Sequence, residues 1–155
     1  MLLAHLVEDL RTLSLAEAGQ LRVQPEPTDL KALSQQVIDG FQTEILSKNI
    51  NLALEAPADL PPAWADGART AQVMRNLLSN AIHYTPQGGK ITVRLASDPS
   101  GVTTSVVDTG VGTPPDDLPR VFDRFYRVDR SRTRSTGGSG LGLAIAKQLV
   151  EAQGG

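Results

Sequence analysis

Between Ile91 and Val107 the chain spells a β-hairpin. Ile91, Val93 and Leu95 alternate with polar residues, Asp98-Pro99-Ser100-Gly101 supplies turn chemistry, and Val102 to Val107 gives a second extended run. Strands that are apolar on one face need a single layer of helices over that face. The chain supplies the helices. Leu30, Leu33, Val37, Phe41 and Ile45 recur every three or four residues behind a capping Asp29, which predicts a helix reaching about Asn49. Met74, Leu77, Leu78 and Ala81 form the apolar face of a second helix, from about Asp66 to Tyr84, ended by Pro86 and the Gly88-Gly89 pair. Ile50, Leu52 and Leu54 alternate as a further strand; Pro57, Pro61 and Pro62 mark a loop; a last helix begins near Leu141. The expected fold class is α+β, a two-layer α/β sandwich with a mixed sheet and helices on one face.

The first segment carries a narrower stripe. Leu3, Leu6, Leu10 and Leu13 fall on one line of a helix that Gly19 stops. So narrow a stripe suits a seam between helices, and packing on its own domain is the alternative. Residues 20–28, with Pro25 and Pro27, read as a linker or edge strand. A length of 155 residues fits one domain with a short appended element. A net charge of −2 gives no general attraction to nucleic acid or anionic membrane, so any anion site must be local. The absence of cysteine excludes disulfides and thiolate metal sites. No apolar run approaches the ~20 residues of a membrane span, and Met1-Leu2-Leu3-Ala4-His5 lacks the basic start of a signal peptide, so the chain reads as soluble.

Four motifs carry chemistry, each with a plainer alternative. Asn76, Asn80 and His83 share the polar face of the second helix. Amide oxygens suit a hard cation such as Mg2+, yet asparagines on a helix are most often solvated surface. Val106-Val107-Asp108-Thr109-Gly110-Val111-Gly112 places a carboxylate where a strand meets a glycine turn. It can accept from an exocyclic amine, and the glycines admit a flat ligand. An ordinary turn is the alternative, and Asp-Thr-Gly after apolar residues is also how an aspartic protease presents its carboxylate. Gly137-Gly138-Ser139-Gly140-Leu141-Gly142-Leu143 opens directly into a helix, where unpaired amides favour phosphate; a flexible linker is the alternative. Gly142 is expected inside that helix, at about 1 kcal/mol relative to Ala. It is neither a P-loop nor a dinucleotide fingerprint. Finally, Arg120, Arg124, Arg127, Arg130, Arg132 and Arg134 interleave with Phe122, Phe125 and Tyr126. Arginine suits phosphate oxygens. The interspersed Asp116, Asp117, Asp123 and Asp129 argue against a broad nucleic-acid surface, and a salt-bridged loop is the plain alternative.

The order and spacing of these motifs resemble the catalytic domain of sensor histidine kinases. Asn76-Leu77-Leu78-Ser79-Asn80-Ala81-Ile82-His83-Tyr84-Thr85-Pro86 resembles the N box, Asp108-Thr109-Gly110-Val111-Gly112 the G1 box, Phe122-Asp123-Arg124-Phe125-Tyr126-Arg127 the F box, and Gly138-Ser139-Gly140-Leu141-Gly142-Leu143 the G2 box. The resemblance implies a Bergerat-type ATP site. Asn80 would hold Mg2+ with Asn76 assisting, Tyr84 would lie near the adenine, and Asp108 would accept from its amino group. Residues 112–139 would form a mobile ATP lid with Arg124 and Arg127 available to the phosphates. Gly138, Ser139, Gly140, Leu141, Gly142 and Leu143 would support the phosphate chain, and His83, Gly110 and Gly112 complete the set.

Related ATPases and serine kinases resemble one another in having Glu where this chain has Asn76. A glutamate can act as general base, whereas an amide cannot. A neutral imidazole already has its lone pair, so Asn76 favours phosphoryl transfer to histidine over hydrolysis of ATP. The chain departs from the family pattern at His83, often Lys, which would weaken phosphate attraction, and at Thr113, usually Ile. Leu6-Val7-Glu8-Asp9-Leu10 through Glu17-Ala18-Gly19 looks like the end of the second dimerisation helix. That divides the chain into residues 1–20, the end of the dimerisation and phosphotransfer helix, and residues 21–155, the ATP-binding domain without the family's final two strands. His5 lacks the surroundings of a phosphoacceptor and reads as an exposed helix residue. The acceptor histidine would come from a dimerisation domain, with a response regulator downstream and a homodimer compatible with it. The setting implied is the cytoplasmic portion of a membrane-bound sensor. A non-catalytic nucleotide-binding or interaction module is the alternative, and a dimeric aspartic protease built on Asp108 a remote one.

Overall fold

The computed structural model describes residues 2–128 and 139–155, residues 2–5 by backbone alone. In chain order the elements are α1 (Leu2–Glu17), β1 (Glu26–Thr28), α2 (Leu30–Asp39), α3 (Gln42–Ser47), β2 (Asn51–Glu55), β3 (Ala63–Ala65), α4 (Gly67–Tyr84), β4 (Lys90–Asp98), β5 (Gly101–Asp108), a 3-10 turn at Leu118–Arg120, and α5 (Gly142–Ala152). They form two compact units, Gln24–Gly112 and the pair of segments Met1–Val23 with Thr113–Gly155.

In the unit Gln24–Gly112 the strand order is β2-β4-β5. β2 runs parallel to β4, with Leu54 opposite Val93, and β5 runs antiparallel, with Val106 opposite Val93. The sheet is therefore mixed, as expected, and α4 lies in the crossover that a parallel pair requires. One sheet face and the helices share a core of Val37, Ile38, Ile45, Met74, Leu78, Ala81, Ile91 and Val93, with Leu52, Leu54 and Val106 packed against it. The opposite face is polar, and Arg94 pairs there with Glu55 across β4 and β2 at 2.9 Å. The α+β class and the layered arrangement thus follow from the alternation in the strands.

Two local expectations are corrected. The helix from Asp29 does not run unbroken to Asn49. The amides of Gly40 and Phe41 turn back to the carbonyls of Val37 and Ile38, three residues earlier, at 3.1 and 2.9 Å. Glycine is a poor interior helix residue, and the break lets Phe41 and Ile45 re-enter the core from a new axis. The proline-marked loop also contains a strand. β3 pairs antiparallel with β1, Pro27 facing Trp64, and the Thr28 hydroxyl donates to the Ala65 carbonyl at 2.8 Å. A three-residue strand is too short for alternation to declare itself.

The cap expected for α2 is formed, and α4 has one of the same kind. The Asp29 carboxylate accepts from the Ala32 amide at 3.0 Å. The Asp66 carboxylate accepts from the Arg69 amide at 3.0 Å and, through its other oxygen, from the Gln24 amide at 2.9 Å. One side chain therefore starts α4 and fixes the entry to β1.

In the other unit α1 packs against α5. Gly19, with φ of +65°, closes α1: its amide donates to the Ala16 carbonyl and that of Gln20 to Leu15. Thr12 and Leu13 are buried, whereas Val7 is 62% and Leu10 42% exposed. The leucine stripe is thus covered at its C-terminal end and open in its middle, so both alternatives raised for this helix keep a share of it. The expectation for the His5 side chain lies outside what is described.

Candidate functional site

α4 presents Asn76, Asn80 and His83 along one flank, four and then three residues apart, while Met74, Leu78 and Ala81 turn into the core. Asn76 and Asn80 are half-buried and His83 is exposed. The His83 and Tyr84 rings meet edge to face at 4.7 Å.

The C-terminal end of α4 is held by a residue that the motifs did not indicate. Lys48, between α3 and β2, extends its ammonium to the carbonyls of Ile82, His83 and Thr85 at 2.6, 3.1 and 3.2 Å. These last carbonyls have no intrahelical donor, and a cation suits the negative end of the helix. The backbone repeats the attachment: the Gly88 amide donates to the Lys48 carbonyl and the Asn51 amide to that of Gly89, both at 2.9 Å. A lysine in a connector has no sequence signature for this, because its partners are main-chain atoms about 35 residues away.

The end of β5 adds the second part. Asp108 accepts the Gly110 amide on Oδ1 at 2.8 Å, an Asx turn. The Thr109 amide donates to the Lys90 carbonyl at 3.0 Å, and the Lys90 amide donates to the Thr109 hydroxyl at 2.9 Å. Gly110 is required by proximity. A Cβ there would stand 2.8 Å from the Tyr84 carbonyl oxygen and 2.7 Å from Asp108 Oδ1. Gly112 takes φ of +72°, which favours glycine. The helix-face motif and the strand-end motif, 23 residues apart between Thr85 and Asp108, therefore meet at Tyr84 and Gly110.

Several polar groups at this junction are left open among the described residues. The exposed Asp108 carboxylate keeps its second oxygen without a hydrogen bond among the described residues. Tyr84 is 43% exposed beside it. The Thr85 hydroxyl, 1% exposed, has no hydrogen-bond partner among the described residues, an orphan that a ligand or water would satisfy. The Asn80 side-chain amide likewise makes no hydrogen bond among the described residues. No cluster of three or more His, Asp or Glu occurs among the described residues.

The other unit holds the remaining motifs. Arg120 pairs with Asp123 at 3.4 Å and lies over the Tyr126 ring at 4.3 Å, and the Tyr126 hydroxyl bonds to Asp117. Arg124 forms an ion pair with Glu17. Phe125 takes φ of +58°, and its amide donates to the Gly140 carbonyl at 3.0 Å. Gly140 takes φ of +71°, and a Cβ on it would stand 2.9 Å from the Phe125 Cα, so the third and fourth motifs meet here. Ser139 accepts the Leu141 amide at 3.3 Å, Leu141 is buried and Leu143 half-buried. Gly142 is the first residue of α5 and not an interior one, so the expected interior helix penalty does not arise. The described arginines are partly salt-bridged, as the plain alternative had it; Gly138, Arg130, Arg132 and Arg134 lie outside the described residues. Among the described residues no helix is long and apolar enough to cross a membrane.

A mixed sheet under α4, with an asparagine flank and an aspartate–glycine turn at its end, defines a nucleotide-binding domain. Residues 65–155 match the family described as histidine kinase-, DNA gyrase B-, and HSP90-like ATPase. The chain is 37% identical over 153 residues to the signal transduction histidine-protein kinase BaeS of Escherichia coli K12, covering 99% of this chain and 32% of that protein. It is similar to the structure of the Acinetobacter baumannii histidine kinase AdeS (TM-score 0.78, 32% identity, 97% of this chain and 67% of that one). It is also similar to full-length ShkA in complex with AMPPNP (TM-score 0.84, 32% identity, 98% and 31%). The chain belongs to this ATPase family, and within it to the ATP-binding catalytic domains of sensor histidine kinases. It spans about a third of the length of BaeS.

Proposed function

We propose that this chain binds Mg2+-ATP and donates the γ-phosphoryl group to a histidine on a dimerisation domain, in two-component signalling. The observation that carries the proposal is the junction of Tyr84, Gly110 and Asp108 beside the Asn80 flank. Asp108 accepts from the adenine amino group, Gly110 and Gly112 admit the ring, and Tyr84 lies against it. Asn80, with Asn76, supplies amide oxygen to Mg2+, which would neutralise phosphate charge when bound. His83 follows at the position where the resemblance places a phosphate contact. Arg124, Arg127, Ser139, Gly140, Leu141, Gly142 and Leu143 keep the phosphate role that the resemblance gives them; Gly138 joins them by sequence alone.

Neither Asn76 nor Asn80 can take a proton from an attacking group. The acceptor must therefore bring its own lone pair, as a neutral imidazole does, and the chain's part is positioning and charge neutralisation. Residues 1–20 then represent the end of the helix leading from the dimerisation domain. Its exposed Val7 and Leu10 support such a seam. The further partners are a response regulator and a second protomer, and the setting is the cytoplasmic side of a membrane sensor. The test supplies a histidine-bearing dimerisation domain in trans with γ-labelled ATP. Label on the histidine, lost with Asn80→Ala, is expected. Nucleotide binding without transfer would instead support a non-catalytic module, and acid-pH peptidase activity lost with Asp108→Asn would support the protease.

A further inference from the structure

We infer that Lys48 is a positioning residue for the nucleotide site, an inference that rests on the function proposed above. Lys48 is half-buried, and its ammonium holds three main-chain oxygens, those of Ile82, His83 and Thr85. These residues bracket Tyr84, whose carbonyl abuts Gly110. Gly110 in turn donates to Asp108. The same connector engages the turn after α4 twice more, through the Lys48 carbonyl to Gly88 and through Asn51 to Gly89. Gly89 is packed so closely that a Cβ would stand 2.4 Å from the Thr85 Cγ2 and 3.1 Å from the Thr109 hydroxyl. Lys48 therefore stands at the head of a chain of contacts that ends at the adenine-reading carboxylate and touches neither nucleotide nor metal itself. Thr85 turns away from the helix, with ψ of 126°, just where the cation sits. Without the cation these oxygens lose the charge that gathers them, and the last turn of α4 would fray more readily.

The consequence is specific. Loosening this end disturbs the adenine side and leaves the Asn80 flank, a full turn away, in place. In the whole chain, K48M is expected to weaken ATP and ADP binding by the same factor, about tenfold, the scale of a lost hydrogen bond to a charged group. The ratio of ATP affinities with and without Mg2+ stays as in the wild type. K48R, which keeps the charge but presents a planar fork, recovers part of the loss. A merely structural lysine would lower the melting temperature of K48M and leave its Kd, measured well below melting, within twofold of wild type; that result overturns the inference, as does K48R no better than K48M.

Should K48M not fold, reductive methylation of the wild-type chain carries the test, since it has only four lysines. Saturating nucleotide slows methylation of Lys48 at least about threefold relative to Lys31 if the ends of this chain are coupled, as linkage requires; equal rates overturn the coupling. Wild-type protein that binds no ATP would sink the proposed function and this inference together. Normal wild-type binding with an unaffected K48M would sink this inference alone.

Discussion

The carbonyl oxygen of Tyr84 lies 2.8 Å from where a Cβ on Gly110 would stand. The end of α4 and the turn after β5 thus touch with no room for a methyl group, and the touching atom is main chain, which cannot swing aside. Gly110→Ala is expected to cost about 1–3 kcal/mol, the range for overpacking. It should also weaken ATP binding, because relief requires the Asp108 turn to move. Urea denaturation and nucleotide titration of the variant check both; an unchanged denaturation midpoint would show that the junction is looser than described.

The role proposed for Asn80 makes metal and base recognition separable. Its side chain makes no hydrogen bond among the described residues, so its removal leaves no orphaned protein partner there. Asn80→Ala should fold with wild-type stability and bind ATP equally with and without Mg2+. A variant that keeps the wild-type response to Mg2+ would move the ion elsewhere.

Asp66 gives the acid limb of stability a defined contributor. Burial raises its pKa, but the amides of Gln24, Arg69 and Ala68 and the charge of Arg69 together outweigh that, so the carboxyl sits below its ordinary 3.8. A folded-state pKa below the unfolded one means stabilisation that is complete above the unfolded value and is lost as pH falls through the folded value. Asp66→Ala should cost about 1 kcal/mol near neutrality, typical of a helix cap. The gap between wild type and variant should close below pH 3.8. A gap that did not narrow at all as pH fell below 3.8 would assign the loss to packing.

Leu78 and Leu10 have opposite expectations. Leu78 is fully buried in the core under α4, and Leu78→Ala should cost about 2–5 kcal/mol. Leu10 is 42% exposed, so Leu10→Ala should stay within about 0.5 kcal/mol and instead weaken association with an added dimerisation domain. Thermal melts and a pull-down with that domain read the two effects; a large loss of stability in Leu10→Ala would place the whole stripe within this chain's own packing.

The elements legible in the sequence were those with long periodic signals. Alternation at Ile91, Val93 and Leu95 and the stripe at Met74, Leu77, Leu78 and Ala81 declared β4 and α4, and Asp29 and Asp66 marked their helices' starts. β3, at Ala63–Ala65, is shorter than the period needed to recognise it. The break at Gly40 was hidden because the apolar spacing continues across it, from Leu33 and Val37 before to Phe41 and Ile45 after. The site motifs were readable as residue types, but their meeting was not. Tyr84 and Gly110 are brought together by main-chain packing, and Lys48 acts entirely through carbonyl oxygens, which look alike in every sequence.

The most direct measurement is calorimetric titration of ATP into the chain, with and without Mg2+, for wild type and Asp108→Asn. The proposed site predicts saturable one-to-one binding in the wild type, tighter with Mg2+, and reduced at least about tenfold by a substitution that removes the carboxylate charge facing the adenine amine. Asp108→Asn binding ATP as tightly as wild type would contradict it.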